Sequence, residues 1–211
     1  DNGGTQAAVD FTMNVTGTNV LPASSFAGDE LGTTATLDAG SYSVSETGPS
    51  GYADSYSADC SGTIALGETK TCTVTNDDIP AMLTIIKAVV NDDGLTNIDS
   101  DFTMHITGTN PSANDFLGSG AGVAITLDAG LYSVDESGPS GYMPSFSSDC
   151  AGSMSVGDVK TCTITNDDIA GAGSDPSLMV VKHIVNDDGG TLAANNFTMH
   201  IAGTNVSQSS L

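Results

Sequence analysis

The chain has 211 residues with 26 carboxylates, four lysines and no arginine, giving a formal net charge of −22. That balance repels nucleic acid and anionic membranes, which need a basic face to bind, and no apolar run is long enough to span a bilayer. A hydrophobic share of 38%, with β-formers set between Gly, Asn, Asp and Pro, points to an all-β protein rather than a disordered acidic one.

The predicted elements recur along the chain. DFTMNVTGTN from Asp10, TLDAGSYSVSETGPSGY from Thr36 and TKTCTVTNDDI from Thr69 fill a first repeat over residues 1–80. They return as DFTMHITGTN from Asp101, TLDAGLYSVDESGPSGY from Thr126 and VKTCTITNDDI from Val159, in a second repeat over residues 81–170. NFTMHIAGTN from Asn196 belongs to a partial third repeat over 178–211, reached through a loose Gly- and Ser-containing linker at 171–177. Cys60 and Cys150 lie 90 residues apart and Lys87 and Lys182 lie 95 apart, so each unit has the size of a small domain.

The first repeat lacks the strand that opens the second. That strand, Leu83–Val90, reads LTIIKAVV and returns as LMVVKHIV at Leu178–Val185. Side chains on a strand alternate faces. Leu83, Ile85, Lys87 and Val89 share one face, so a lysine is aimed into a core. Six further strands are predicted in the second repeat, near Phe102–Gly108, Val123–Leu127, Leu131–Glu136, Tyr142–Cys150, Gly152–Val156 and Val159–Asn166. Seven short strands at this spacing predict a two-sheet sandwich.

The same alternation puts two more polar residues at core positions. Tyr132, Val134 and Glu136 share a face, as do Cys162, Ile164 and Asn166; the first repeat has Tyr42, Val44 and Glu46, and Cys72, Val74 and Asn76. Burial drives a lysine towards its neutral, nucleophilic form and a glutamate towards its protonated form. A protonated Glu can polarise the Asn carbonyl, and attack by the amine then expels ammonia and leaves an amide between side chains. The alternative is an ordinary buried hydrogen-bonded or ionic cluster, which periodicity does not distinguish. Lys70 and Lys160 share core parity but follow a turn. Lys160 lies on the same strand as Asn166, roughly 20 Å away at about 3.3 Å per residue, so both lysines are expected at solvent-facing strand starts.

A first-strand Lys, then Y-x-V-x-E-x-x-P-x-G-Y at Tyr132–Tyr142, then T-x-T-N ending at Asn166, resembles the collagen-adhesin B-type domain. This domain is also called the SpaA or prealbumin-like domain of surface proteins and pili. The resemblance covers the second repeat and most of the first. It implies tandem Greek-key β-sandwich domains (prealbumin-like, Ig-like) with the first and last strands adjacent. It further implies an internal Lys–Asn isopeptide bond in many members, assisted by a Glu. Carried over by position, Lys87 is the amine, Asn166 the acceptor and Glu136 the assisting acid. The first repeat supplies Glu46 and Asn76 without a Lys, and the third supplies Lys182 without either partner.

Each of the first two repeats has two cysteines twelve residues apart, Cys60 with Cys72 and Cys150 with Cys162, flanking a hairpin-like segment. Disulfides are the expected state in an oxidising extracellular setting, with buried free thiols the alternative. A zinc site is not expected, since two Cys per repeat and outward His residues do not make four ligands. The acidic Asn91–Asp101 stretch lacks ordered calcium-loop spacing and reads as a solvated turn. Asn14, Asn196 and Asn205 begin N-x-S/T sequons.

The sequence therefore points to a secreted, surface-attached structural protein, a stalk or filament, with no enzyme activity, cofactor or metal. Its expected partners are neighbouring repeats or copies of itself joined head to tail. Leu178–Val185 is expected either to be donated to the first repeat of another copy or, as the alternative, to belong to a longer tandem chain of which 1–211 is a window, and the surplus Asn186–Leu211 favours the latter. The alternative is a ligand-binding adhesin.

Overall fold

Alternating apolar and polar residues become strand here only where a neighbouring backbone takes up the N–H and C=O groups. In the computed structural model, which describes residues 1–171 and 178–203, that condition is met throughout the second repeat. Its strands are β7 (Ala81–Val90), β8 (Thr103–Thr107), β9 (Asp115–Leu117), β10 (Val123–Leu127), β11 (Gly130–Ser137), β12 (Tyr142–Phe146), β13 (Ala151–Met154) and β14 (Val159–Asp168). They form two four-stranded sheets, ordered β10-β7-β14-β12 and β13-β11-β8-β9. The first and last strands of the repeat lie side by side and parallel, with Ile164 opposite Lys87 and Asn166 opposite Val89.

The faces follow the predicted parity. Leu83, Ile85, Ile125, Leu127, Cys162 and Ile164 point from one sheet into a core closed from the other by Met104, Ile106, Tyr132, Val134 and Met154. A buried aliphatic side chain contributes about 1.5–3 kcal/mol relative to exposure, so this interlayer is the main source of stability. One predicted strand is cut short and one strand is new. The expected strand Tyr142–Cys150 ends at Phe146 and gives way to a 3₁₀ turn at Ser148–Cys150. The short edge strand β9 was not expected, because three residues are too few to show a period.

The first repeat contains β1 (Thr12–Thr16), β2 (Ser25–Ala27), β3 (Gly40–Thr47), β4 (Tyr52–Tyr56), β5 (Ser61–Ile64) and β6 (Val74–Asp78). One sheet is intact in the order β2-β1-β3-β5, while the other is reduced to β4 and β6. The two repeats meet directly: Gly157 donates its N–H to the Ile79 carbonyl at 2.8 Å, and Ala129 to that of Asn2 at 2.8 Å. Both lie within one compact unit, Asp1–Gly173.

The second unit, Ser174–Leu211, overturns one expectation. Leu178–Val185 is not a strand, and neither is the stretch after Asn196. In the second repeat β7 is held between β10 and β14, and the described part of this unit has no counterpart of either. A β-prone sequence becomes a strand only where a ladder partner takes up its backbone groups. All of the expected linker at 171–177 but its first residue, the end of the third repeat at 204–211 and the Asn205 sequon lie outside the described residues.

Candidate functional site

The site forms where three strands aim polar side chains between the sheets of the second repeat. β7 supplies Lys87, β11 supplies Glu136 and β14 supplies Asn166. Lys87 and Asn166 are 1% and 3% exposed, and the Glu136 side chain is 6% exposed. Lys87 Nζ donates a hydrogen bond to Asn166 Oδ1. It lies 2.9 Å from Glu136 Oε2 in an ion pair that is not aligned as a hydrogen bond, so Oε2 has no hydrogen-bond partner among the described residues. The ammonium also sits 4.2 Å from the centroid of Phe102, in cation–π contact.

Burial pushes the Lys87 pKa below its ordinary value, while the contact with Glu136 and its charge oppose the shift. An isolated buried ion is costly, and one carboxylate offsets only part of that cost. The surroundings hold the three groups at this distance. Gly118 lies across the Lys87 stem, and a Cβ there would come within 2.8 Å of Lys87 Cγ. Gly138 lies on the Phe102 ring, where a Cβ would approach Cδ1 to 2.4 Å. The ring is fixed in turn by an edge-to-face contact with Tyr142 at 5.3 Å. The inward position of Phe102 was legible in its parity, but its place against the lysine was not.

Chemically, the arrangement holds an amine against both a carboxamide and a carboxyl group, away from water. Transfer of one proton from Nζ to Glu136 would leave a neutral amine beside the Asn166 carbonyl and an acid able to polarise it.

The first repeat has part of the same constellation. Asn76 Nδ2 donates to Glu46 Oε1, and Glu46 Oε2 is buried without a hydrogen-bond partner among the described residues. No lysine is paired with either group among the described residues of this unit. Lys70 pairs on the surface with Glu68 at 3.1 Å and Asp59 at 3.7 Å, and Lys160 donates to the Ser153 carbonyl at 2.7 Å. Lys182 lies in the other unit, with its Nζ 4.6 Å from the Phe197 ring centroid.

All four cysteines are paired, Cys60 with Cys72 and Cys150 with Cys162. Each bridge ties the 3₁₀ turn to the strand or segment running into the TNDD motif.

Sequence reasoning missed a second polar device at the end of that motif. Asp168 is 3% exposed and accepts N–H bonds from Asp92, Asp93 and Leu95 at 2.8–2.9 Å. Burial opposes its ionisation, but these donors outweigh burial and hold its pKa below the usual carboxylate value. Asp78 does the same for the first repeat, accepting from the N–H groups of Asn2 and Gly4. The signal was present, since Asp168 follows Asn166 by two residues and shares its face. Asp92, Asp93 and Asp168 bring one oxygen each within 4.8 Å of one another. Burial and the charges of Asp92, Asp168 and Asp167 push the Asp93 pKa up, and the oxygens of Asp168 are already committed to backbone N–H groups.

A family model described as a prealbumin-like fold domain matches residues 1–76 and 78–170. Among solved structures, the minor pilin GBS52 of Streptococcus agalactiae is similar at 11% identity, covering 82% of this chain and 87% of that one with a TM-score of 0.31. A major pilin of Streptococcus pyogenes is similar at 14% identity, covering 80% and 93% with a TM-score of 0.31. A pilus-presented adhesin is similar at 16% identity over 43% of this chain, with a TM-score of 0.27, and the chain spans 28% of its length. The comparison with curated proteins gave no match.

Proposed function

The chain belongs to the prealbumin-like fold domain family, and from that premise we propose that it is a structural segment of an extracellular stalk or filament at a cell surface. Its second repeat is locked by an amide bond between Lys87 and Asn166. The observation that carries this reading is the sealed contact of Lys87, Glu136 and Asn166 between the first and last strands of one domain. In the reaction, Nζ passes one proton to Glu136 and attacks Asn166 Cγ. Glu136 gives that proton to the departing amide nitrogen and takes up the second Nζ proton. The nitrogen leaves with it as ammonium, so that ammonium and carboxamide become a secondary amide and NH4⁺. The step runs once per molecule, without turnover, and needs no cofactor.

The bond would close a loop of 79 residues, contributing about 4–5 kcal/mol through restriction of the unfolded chain. Tension entering at β7 would leave through β14 along covalent bonds, so the domain could not be drawn open. The disulfides act in the same direction within each repeat. Repeats that contact mainly their neighbours build length, and copies joined head to tail would extend it.

Intact mass on the reduced, denatured protein tests this. The chain should weigh one ammonia less than its sequence, and Glu136→Ala should restore the full mass. A wild-type mass equal to the sequence mass rules the bond out.

A further inference from the structure

The outer face of the sheet β13-β11-β8-β9 carries a second constellation, on the side away from Lys87. Alternation turns Glu136 inward and its neighbours Asp135 and Ser137 outward, and it turns His105 outward from β8. β8 lies between β11 and β9, with His105 opposite Asp115 on one side and Asp135 on the other, and Thr103 opposite Ser137. Across these three strands the His105 ring is held at both nitrogens. Nδ1 lies 2.5 Å from Asp115 Oδ1, and Nε2 lies 2.8 Å from Ser137 Oγ. An ionised Asp115 only accepts, so Nδ1 donates to it, and the neutral ring turns the lone pair of Nε2 towards the Ser137 hydroxyl. The imidazole is half-buried, while Ser137 is exposed. The other carboxylate facing this ring, Asp135 on β11, accepts from the Glu136 N–H at 2.8 Å. Gly138, which follows Ser137, is packed on the Phe102 ring and anchors the end of β11. The first repeat offers an internal contrast. There Asn14 stands opposite Ser25 and Ser45, and Thr12 opposite Thr47. The hydroxyl is kept at Thr47, but Asn14 and Ser25 replace the imidazole and its carboxylate.

A hydroxyl bonded to an imidazole that is itself oriented by a carboxylate is the arrangement of an activated nucleophile. We propose that Ser137 is an acyl-acceptor site for activated carboxylic esters, with His105 as its general base and Asp115 as the positioning residue. In the step, Ser137 Oγ forms a bond to the carbonyl carbon of the ester as its proton passes to His105 Nε2. The bond from that carbon to the leaving alcohol oxygen then breaks, and Nε2 gives the proton to that oxygen. One ester is consumed, one Ser137 ester and one alcohol are formed, and His105 ends neutral, so the balance needs no oxidant, reductant or cofactor. The product is a domain that carries a covalent acyl group on its solvent face. The site lies on the opposite face of the sheet from the Lys87 cluster, and it holds whether or not Lys87 and Asn166 join.

Treatment of the intact chain with p-nitrophenyl acetate, followed by peptide mapping, tests the site. Ser137 should gain one acetyl group well before Thr47 or Ser133. Ser133 is exposed on the same face of β11, so its rate measures an ordinary surface hydroxyl and, in each variant, reports that the sheet is intact. His105→Ala should slow acetylation of Ser137 by about 100-fold, the lower end of what a positioned general base contributes. Asp115→Asn should slow it by about tenfold, because an amide NH₂ donates to Nδ1 and puts the ring proton on Nε2, and the exposed setting makes the loss smaller than in a buried triad. Asp115→Glu should restore most of the rate, which a purely structural role for Asp115 does not require. Release of p-nitrophenol beyond one equivalent, lost in Ser137→Ala, supports the same nucleophile with water as the next acyl acceptor. Acetylation of Ser137 no faster than of Ser133, acetyl groups found on His105 alone, or a Ser137 rate unmoved by His105→Ala overturns the proposal.

Discussion

The two repeats share their motifs almost residue for residue, yet only the second closes a core. Tyr132, Val134, Cys162, Ile164 and Asn166 are buried, while Tyr42, Val44, Cys72, Val74 and Asn76 in the same frame are half-exposed. The difference traces to one strand. β7 lies between β10 and β14; the described residues of the first repeat include no strand in that place, and there residues 33–37 form no strand and the last strand has five residues. The sheet that does not touch it, β2-β1-β3-β5, is retained, as are the β4–β6 pair and the disulfide. A single central strand therefore decides whether two other segments are strands, because each supplies only one side of a shared hydrogen-bond ladder.

The contrast can be sharpened by substitution. Lys87→Ala leaves Glu136 buried without its cation, and should cost the second repeat about 3–5 kcal/mol; loss of the amide bond would add to this. Among the described residues the first repeat has no lysine at its Glu46–Asn76 pair, and its melting should not change. Ile164→Ala should cost about 3 kcal/mol by leaving a cavity in a closed interlayer, whereas Val74→Ala, at the same position of the open repeat, should cost well under half of that. Equal losses in denaturant titrations would show that the first repeat is as well packed as the second. Replacing both Cys60 and Cys72 with Ser, or both Cys150 and Cys162, removes loops of the same length and about 3 kcal/mol each by unfolded-state entropy. The same loss should unfold the first repeat, which has the smaller core, while the second survives at 25 °C.

Acid should affect both repeats alike. Asp78 and Asp168 each have a folded pKa held below the unfolded value by backbone N–H donors. Their contribution is complete above the unfolded value, about 3.9, and is lost as pH falls through the folded one. Asp168→Asn should flatten that acid limb for the second repeat alone, and an unchanged pH profile would show that the carboxylate is not the group responsible.

Much of this was legible from alternation. Period-2 parity placed Lys87, Glu136 and Asn166 on inward faces of three different strands, and the cysteine spacing pointed to pairs within each repeat. Parity did not reveal the Phe102 ring beside the ammonium or the loop N–H groups on Asp168, since both depend on where loops cross the end of the sandwich. The error at Leu178–Val185 has the same origin. Its pattern matches β7, but the partners that make β7 a strand are other segments of the repeat, so the local sequence alone does not settle its conformation.

Fragment mass spectrometry of a protease digest tests the central contrast most directly, because it locates any crosslink in one repeat or the other. The account predicts a branched fragment joining Lys87 to Asn166, lighter by one ammonia than its two parts, in wild type and not in Glu136→Ala, with Asn76 unmodified in the monomer. Separate, full-mass fragments bearing Lys87 and Asn166 would contradict it.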